Sequence, residues 1–425
     1  MQSQTATNTT TAAPPAPGGM RVFTALRHRN YRLYWIGFLL SIIGFQMQQV
    51  AMQWLAYDLT GSPLYLGTVG LASALPTIAL TLFGGVVADR VNRRQLLLFT
   101  QAGLGLIVAA AALLVWLRLI EPWHLLALAF LAGAITAFDQ PSRAAIVPHL
   151  VDRRDLMNAV ALISVVWQSS RIVGPALAGV LIGFLGSTAP VFAIATLGSA
   201  AMVAVLLLLR LPRFSPEPTS NAVLGDLAQG LRFILGNNLF SSLIGMTFFN
   251  SVFGISYIIM LPVIAKDVLQ VGPEGLGLMN TVSGIGALAG TFTVATLGDY
   301  RRKGWLLLWG GFAFGVGLVA FAVTPWFLPS LALLAFVGWC NQVYMTTTNT
   351  TLQAAVPDAL RGRVMGTFAL TYNLIPLGGL QAGAIATAFN VQTAIAFGGV
   401  LVAAFAMAAA VTLPAVRRMG EAEAG

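Results

Sequence analysis

Apolar stretches separated by short polar segments follow one another along almost the whole chain. Each stretch holds about 20–30 residues, which is the length that an α-helix needs to cross a bilayer. We number the predicted spans 1–12, and they cover 32–58, 63–87, 95–118, 122–144, 156–186, 190–211, 239–266, 275–297, 304–325, 328–351, 363–389 and 392–414. The pattern therefore predicts an all-α membrane protein with twelve transmembrane helices.

Two short motifs recur at nearly the same distance along the chain. "ADRVNRR" at 88–94 returns as "GDYRRKG" at 298–304, which places Asp89 210 positions before Asp299. "AIVP" at 145–148 returns as "AAVP" at 354–357, which places Pro148 209 positions before Pro357. This offset, about half the chain length, predicts two parallel six-helix halves. We expect a disordered tail at 1–20, a first half at 21–211, a cytoplasmic connector at 212–238, a second half at 239–414 and a cytoplasmic tail at 415–425.

Composition agrees with a membrane protein, and the charges orient it. Of the 425 residues 57% are apolar and 9% are charged, with a mean hydropathy of +0.81, whereas a soluble domain has roughly 25% charged residues. Twenty of the 23 Lys and Arg residues lie on one side of the predicted spans, so the positive-inside rule places both termini in the cytoplasm. The net charge of +9 follows from this topology and does not indicate a nucleic-acid partner.

The segment between spans 2 and 3, "GGVVADRVNRRQLLL" at 84–98, gathers four charges in six positions. One interpretation is a cytoplasmic anchor that only fixes topology. The spacing also resembles the loop 2–3 signature of the major facilitator superfamily, at Gly85, Asp89, Arg90, Asn92, Arg93 and Arg94. Asn92 stands where the family has a glycine, and because Asn tolerates a left-handed backbone we expect a tight turn there.

The resemblance implies the major facilitator fold and a gating clasp between its halves. In such a clasp a carboxylate lies near the positive end of a facing helix, here span 11, in one orientation and is released in the other. The implied members are Gly85, Asp89, Arg90, Arg93, Arg94, Asp139, Arg143, Asp299 and Arg301. Asp139 and Arg143, four residues apart, keep two interpretations: a surface pair of little energetic value, or Asp139 as the partner of Arg90.

Five further segments resemble the exporter-like branch of that superfamily, which contains enterobactin exporters and macrolide and multidrug efflux proteins. They are "LRHRNYRLYW" at 26–35, "DLTGSP" at 58–63, "DQPSRAAIVPHLV" at 139–151, "RIVGPALAG" at 171–179 and "VPDALRGRVMG" at 356–366. The resemblance implies a bacterial inner-membrane transporter that exports a moderately large amphiphilic molecule, siderophore or drug-like, by alternating access.

Arg171 lies near the middle of predicted span 5. An arginine at that depth costs at least about 2.5–3.5 kcal/mol on insertion scales, so it needs a partner or a water-filled cavity. We expect it to act in coupling or to bind substrate charge, and the alternative is a structural bond to backbone carbonyls. Gly174, Pro175 and Gly179, which follow it, resemble the helix 5 antiporter motif of proton-linked exporters.

Polar side chains within the apolar spans predict a central cavity, because lipid penalises them. In span 1 they recur on one helical face. The candidate cavity residues are Gln46, Gln49, Gln53, Tyr57, Gln168, Asn250, Tyr257, Gln342 and Asn349. Hydrogen bonding between helices is the alternative for each amide. Amides mixed with aromatic and methionine side chains favour an amphiphilic substrate over a sugar or a small anion.

The energy source follows partly by exclusion. Neither Lys266 nor Lys303 lies in a phosphate-binding G-x-x-x-x-G-K-[ST] loop, so ATP is excluded and proton antiport is favoured. No acidic residue lies deep within a predicted span, so the sequence does not identify the group that carries the proton. Span 1 has an acid only at its end, Asp58, and lacks the buried acid of some multidrug relatives, which leaves Arg171 available for an anionic or catecholate substrate.

Other classes of protein fit less well. His28, His124 and His149 are scattered and accompany no nucleophile or ligand motif, so we expect no enzyme, no metal and no cofactor. An uptake permease or a non-transporting membrane sensor on the same fold stays open. The expected partners are a small-molecule substrate, membrane lipid and protons. We expect a monomer, although no residue pattern bears on the oligomeric state.

Overall fold

The computed structural model describes residues 23–209, 223–298, 300, 302–417 and 419, and it is nearly all helical. The first six spans begin and end within a few residues of the predicted bounds. They are Arg29–Thr60, Pro63–Arg90, Arg93–Trp116, Pro122–Ile146, Leu156–Leu185 and Ala189–Leu208. The predicted all-α fold of the first half is therefore confirmed.

The second half contains four continuous spans and two interrupted ones. Spans 8, 9, 10 and 12 are Gly272–Leu297, Lys303–Val323, Phe327–Ala355 and Val391–Thr412. Span 7 consists of Asn238–Phe249, Asn250–Gly254, Tyr257–Val263 and Ile264–Val268, and span 11 consists of Asp358–Tyr372 and Ile375–Ala388. Eleven helices of the described chain are long and apolar enough to cross a membrane. Span 11, divided into two shorter helices, is the twelfth.

Span 7 covers Asn238–Val268, within two residues of the predicted bounds, but it is not a regular α-helix. Two π-helical turns, Asn250–Gly254 and Ile264–Val268, divide it. Pro262 lies just before the second turn and donates no backbone hydrogen bond, which loosens the helical ladder. In span 11, the proline and the glycines of "NLIPLGGLQAG" at 373–383 predict an interruption. The helix breaks at 373–374, because Pro376 has no N–H to donate to the carbonyl of Tyr372, four residues earlier.

Equivalent spans pack in the same way in the two halves. Spans 2 and 4 cross where Gly133 lies against the carbonyl of Ser73, and spans 8 and 10 cross where Gly338 lies against the carbonyl of Ser283. Ser73 and Ser283 are 210 positions apart, which is the offset of the loop motifs. The repeat therefore extends from the loops into the packing of the bundle.

The halves touch mainly through spans 5 and 8 and through spans 2 and 11. We call the end of the bundle that carries Arg29, Arg90 and Arg153 the basic end, and the other the opposite end. Towards the opposite end, a Cβ added at Gly67 would lie 2.5 Å from the Cα of Leu380. Gly85 lies on the same face of span 2 five turns further on, and a Cβ there would meet nothing within 4 Å. Spans 2 and 11 therefore diverge towards the basic end.

Part of the predicted connector is helical. The connector helix, Val223–Leu235, packs on the first part of span 11. Arg363 Nη1 donates a hydrogen bond of 2.5 Å to Gln229 Oε1, and a Cβ added at Gly230 would lie 3.0 Å from the Cβ of Arg363. The connector helix is thus attached to span 11, the span that a break divides into two helices.

Candidate functional site

A cavity of about 550 Å³ lies between the halves, beside Arg171. We call it the Arg171 cavity. Span 5 contributes Gln168 and Arg171, and spans 7, 8, 10 and 11 contribute the remaining lining. Four predicted cavity residues meet here: Gln168, Tyr257, Gln342 and Asn349. The cavity therefore joins one cationic side chain of the first half to a polar wall of the second half.

The Arg171 side chain is exposed within this cavity. Among the described residues, no carboxylate or carbonyl accepts a hydrogen bond from it. Its guanidinium is close enough to Tyr257 and Tyr372 to interact electrostatically with both. The lining contains no Asp or Glu, so the charge of Arg171 is not neutralised at the cavity wall.

A second cavity, of about 400 Å³, adjoins the first. We call it the glutamine cavity, because Gln48, Gln49 and Gln53 of span 1 line it. The two cavities share four lining residues: Ile255, Ile258, Tyr372 and Ile375. The remainder of the wall is largely aliphatic, and no Asp, Glu, Lys or Arg lines the glutamine cavity. The combined space is bipartite, with a cationic compartment and an uncharged one.

Three predicted cavity residues lie elsewhere. Gln46 packs against span 5, where its Cβ would lie 2.5 Å from a Cβ added at Gly174. Asn250 is 3% exposed in the first π-turn, and neither amide atom has a hydrogen-bond partner. Tyr57 is buried near the opposite end of the bundle. The face predicted for span 7 assumed α-helical spacing, and the π-turn changes that spacing after Asn250.

The motif after Arg171 forms contacts between helices. Gly174 faces Gln46 of span 1, inside the first half. A Cβ added at Gly277 of span 8 would lie 2.6 Å from the carbonyl of Pro175 and 2.8 Å from the Cα of Gly179. These small residues allow the backbones of spans 5 and 8 to approach closely. Pro175 and Gly179 of the motif therefore lie at the interface between the halves.

A polar cluster closes the opposite end between spans 1 and 7. Tyr57 donates a hydrogen bond to Asp267, and Lys266 Nζ lies 2.5 Å from Asp58 Oδ1. Lys266 also lies 5.9 Å from the ring centroid of Trp54. Tyr57 lies 209 positions before Lys266, and Asp58 lies 209 positions before Asp267, so these are equivalent positions of the two halves. Each residue of span 1 therefore contacts the equivalent of its neighbour, and we call this crosswise pairing. We call Tyr57, Asp58, Lys266 and Asp267 the opposite-end cluster.

The loop between spans 2 and 3 stabilises helix ends. Only two residues separate spans 2 and 3, so the turn is tight as expected, but Asn92 has φ −58° and not a left-handed backbone. Its side chain instead caps span 3, accepting hydrogen bonds from the backbone N–H of Arg94 at 3.1 Å and of Gln95 at 3.4 Å. Arg94 donates to the last carbonyls of span 6, on Leu206 and Leu207. The Asn92 side chain thus accepts hydrogen bonds from two backbone N–H groups, which would have no side-chain acceptor if residue 92 were glycine.

The other predicted clasp residues are only partly described. Arg93 contacts His149, and Arg90 is exposed. Asp299, Arg301 and the side chain of Asp89 lie outside the described residues. The clasp therefore stays a prediction.

Asp139 and Arg143 form a buried network rather than a surface pair, so the surface interpretation is wrong. Arg143 Nε lies 2.5 Å from Asp139 Oδ2, and the two residues are 8% and 5% exposed. Asp139 Oδ1 also accepts hydrogen bonds from Thr100 at 2.8 Å and Gln101 at 2.7 Å. Arg143 lies over the ring of Phe38 of span 1, 5.2 Å from its centroid. The pair thus joins spans 1, 3 and 4 within the first half.

Three ionisable groups also meet at the basic end. His28, Asp152 and Asp155 place ligand-type atoms within 4.8 Å of one another. His28 Nε2 lies 2.9 Å from Asp155, and Arg154 pairs with both carboxylates. Because Arg154 pairs with both acids, the contacts are those of a salt-bridge network that ties the start of span 1 to the start of span 5.

Sequence reasoning missed several lining residues. Gln48, Ser283, Asn341 and Tyr372 all line the two cavities. Gln48 and Asn341 directly precede the predicted cavity residues Gln49 and Gln342. Adjacent residues of a helix point about 100° apart, so helical spacing placed Gln48 and Asn341 outside the predicted cavity faces. Tyr372 ends the first part of span 11, and its position beside the "NLIP" interruption was the available signal. A break in a span turns neighbouring side chains towards the space that it opens.

Comparison with known proteins places this geometry among transporters. The family model described as "Transmembrane secretion effector" matches residues 20–424. The staphyloferrin A transporter of Staphylococcus aureus (strain NCTC 8325 / PS 47) is 26% identical over 85% of this chain and 90% of its own. The multidrug efflux pump Tap of Mycolicibacterium fortuitum is 27% identical over 80% and 85%, and the enterobactin exporter EntS of Shigella flexneri is 26% identical over 80% of each chain.

Solved structures share the fold at lower sequence identity. A bacterial homologue of the human lysosomal transporter Spinster, in an inward-facing and unoccupied conformation, has a TM-score of 0.72 at 15% identity, covering 94% of this chain and 99% of that one. The nucleoside transporter NupG has a TM-score of 0.68 at 15% identity, covering 89% and 98%. These likenesses establish the architecture of the bundle.

Proposed function

Because the chain belongs to the transmembrane secretion effector family of the major facilitator superfamily, we propose that it exports a moderately large amphiphilic molecule, siderophore or drug-like. The observation that carries this proposal is the bipartite cavity between the halves, lined by amides, aromatic rings, aliphatic side chains and one arginine. Its size falls in the range of small-molecule sites, about 300–1,000 Å³. Exporters of a siderophore and of drugs among the relatives support the direction.

We propose alternating access as the mechanism. The opposite-end cluster and the close packing of spans 5 and 8 hold the halves together on one side of the cavity. Spans 2 and 11 diverge on the other side, at the basic end. With the basic end in the cytoplasm, this conformation admits substrate from inside. Export then requires that the opposite-end contacts break and the basic end closes.

The loop at 84–94 is the proposed clasp of the alternate state. Asp89, with Arg90 and the equivalent Asp299 and Arg301, would hold the basic end closed after span 2 approaches span 11. Span 11 begins at Asp358, so its N-terminus lies at the basic end. A helix N-terminus attracts a carboxylate within about one turn, and Asp89 would be that carboxylate. The clasp is therefore expected to form only after the cavity closes towards the cytoplasm.

We propose proton antiport as the energy source. Pro175 and Gly179 of the Gly174–Pro175–Gly179 motif lie at the interface that must open and close, as expected for a coupling element. Moving one charge through a potential of 100 mV yields about 2.3 kcal/mol. Inward proton movement therefore supplies enough free energy to concentrate a substrate outside.

The test uses the purified chain in liposomes that hold an internal pH dye. An imposed pH gradient is combined with a panel of catecholate siderophores and amphiphilic drugs, and the orientation of the protein is determined by proteolysis. We expect substrate to move from the basic-end side to the opposite side, together with counterflow of protons. Protein-free liposomes, and loaded liposomes with a protonophore, are the controls.

The outcomes separate the parts of the proposal. Substrate flux without proton movement would contradict antiport and leave export standing. Flux only towards the basic-end side would make the protein an uptake permease. Binding without any flux across the panel would support a sensor instead.

A further inference from the structure

We infer that the substrate is an organic anion and that Arg171 binds its charged group. This inference rests on the proposed transport function and adds the chemical class of the substrate. The shared chemistry is a pair of adjacent anionic oxygens, as in a carboxylate or a catecholate. A planar guanidinium binds such a pair with two parallel hydrogen bonds.

The charge balance of the cavity carries the first step. Of the residues that the structure describes, Arg171 is the only ionisable side chain other than tyrosine that lines either compartment. It lies in the middle of span 5, away from the ends where arginines reach water at the membrane surface. No described residue accepts a hydrogen bond from it, so it does not act as a structural tie to a backbone carbonyl. The site therefore carries one uncompensated positive charge.

The position of Arg171 carries the second step. Its backbone lies at the contact of spans 5 and 8, where a Cβ added at Gly284 would lie 3.2 Å from the carbonyl of Arg171. Its side chain faces the wall formed by Tyr257, Gln342 and Asn349 of the second half. An anion bound here would touch both halves at once. Such a ligand can shift the equilibrium between two orientations of the halves, because its contacts differ between them.

The shape of the space carries the third step. Tyr372 and three isoleucines line both the Arg171 cavity and the glutamine cavity, so the two compartments adjoin along these side chains. A ligand with an anionic group in the first compartment can place an uncharged amide or aromatic part in the second. The site therefore favours an anion with an extended neutral portion over a compact one. Cationic amphiphiles find no counter-charge in either compartment.

The direction of charge movement follows from this assignment. Outward movement of an anion in exchange for an inward proton transfers at least two elementary charges in the same sense. Export is then accelerated by an inside-negative membrane potential. A neutral substrate exchanged for a proton would transfer one charge.

The test compares matched ligands on purified wild-type protein by tryptophan fluorescence. The probes are an aromatic carboxylate, a catechol at a pH above its first ionisation, and a hydroxycarboxylate. Each carries an extended neutral arm, and the corresponding amide or methyl ether is its neutral partner, measured at the same pH. We expect at least tenfold tighter binding of the anion than of its neutral partner. The carboxylate and catechol arms identify which oxygen pair the site prefers.

Three variants complete the test. Arg171→Gln is expected to abolish the preference for the anion, and Arg171→Lys to retain part of it, since lysine keeps the charge and loses the two-pronged geometry. Arg153→Gln removes one exposed positive charge at the basic end and should keep the preference. Gel filtration and thermal unfolding verify that each variant is folded.

Equal binding of anion and neutral partner by wild-type protein would overturn the inference, and so would a preference that survives in Arg171→Gln. Failure of the inference is distinct from failure of the proposed function. Export of a cationic or neutral drug that is unchanged in Arg171→Gln, together with equal binding of the anions and their neutral partners, would leave transport intact and remove the anion site. Arg171-dependent anion binding without flux would leave the site intact and remove export.

Discussion

At the residue scale, the buried pair of Asp139 and Arg143 differs in kind from the exposed charges at the basic end. Its carboxylate accepts hydrogen bonds from Thr100 and Gln101 as well as from Arg143. In the sequence, the four-residue spacing of Asp139 and Arg143 fits a surface pair and a buried pair equally well. Burial could not be predicted, because it depends on spans 1 and 3 packing over the pair.

We predict that Asp139→Asn destabilises the protein strongly. The change leaves the buried Arg143 without a counter-charge, and breaking a buried pair costs about 3–5 kcal/mol. Thermal unfolding in detergent measures the effect. Asp152→Asn is the matched control, since Asp152 and Arg154 are 60% and 81% exposed at the side chain, and it should cost less than about 1 kcal/mol. Equal melting temperatures for the two variants would contradict the buried network.

We predict that Asn92 stabilises span 3 as a cap. Asn92→Ala removes the acceptor for the N–H groups of Arg94 and Gln95, and should cost about 1 kcal/mol of unfolding free energy. Asn92→Asp retains the acceptor and should be nearly neutral. The same thermal measurement decides the matter, and a variant Asn92→Gly that is more stable than wild type would favour a left-handed turn instead.

At the element scale, the spans that depart from regular helices border the transport path. The π-turn at Asn250–Gly254 and the break before Ile375 lie in spans 7 and 11, and Tyr257, Tyr372 and Ile375 line the Arg171 cavity. The interruption of span 11 was predictable from its proline and its glycines. The π-turns of span 7 were not, because an inserted residue leaves the apolar pattern almost unchanged.

We predict that Gly277→Val forces spans 5 and 8 apart. Its new side chain would meet the backbone of Pro175 and Gly179 within 3 Å. The halves should then populate the orientation with the basic end closed. Spin labels at Arg153→Cys and Lys303→Cys, in a Cys340→Ser background, measure the distance across the basic end, which should shorten.

The control for this prediction is Gly245→Val. A Cβ added at Gly245 meets nothing within 4 Å, so the label distances should match those of the parent. An unchanged distance in Gly277→Val would mean that this contact does not hold the observed orientation.

At the scale of the whole molecule, the opposite-end cluster is expected to close the transport path. Charge reversal by Lys266→Asp places a second acid beside Asp58 and should loosen that end. Exposed pairs are worth up to about 1 kcal/mol, so a Gln49→Cys reporter in a Cys340→Ser background should react up to about fivefold faster with a thiol reagent added at the opposite side.

The double change Asp58→Lys with Lys266→Asp is the matched control. It restores opposite charges across the two halves, so the reaction rate should return towards that of the parent. Faster labelling in the double variant than in the single one would contradict the crosswise pairing. Unchanged labelling in Lys266→Asp would exclude the pair as a closing contact.

The sequence by itself determined the class of molecule, its spans and its repeat. Apolar stretches of bilayer length are a local property of the sequence, so they predict the spans without any knowledge of packing. The loop motifs recur at an offset of 209 or 210 residues, which predicts the two halves. The prediction of a multi-pass inner-membrane transporter of the major facilitator superfamily, and not an enzyme, is confirmed by the family match and by the relatives.

Tertiary structure alone decided which polar residues meet. Gln46 and Gln49 lie three residues apart on span 1, yet Gln46 packs against Gly174 while Gln49 lines the glutamine cavity. Tyr57 and Asp58 found partners 210 and 208 positions away on span 7. A single helix restricts which face a side chain occupies, but the helix opposite that face is set by the packing of the other eleven, and that is a property of the whole bundle.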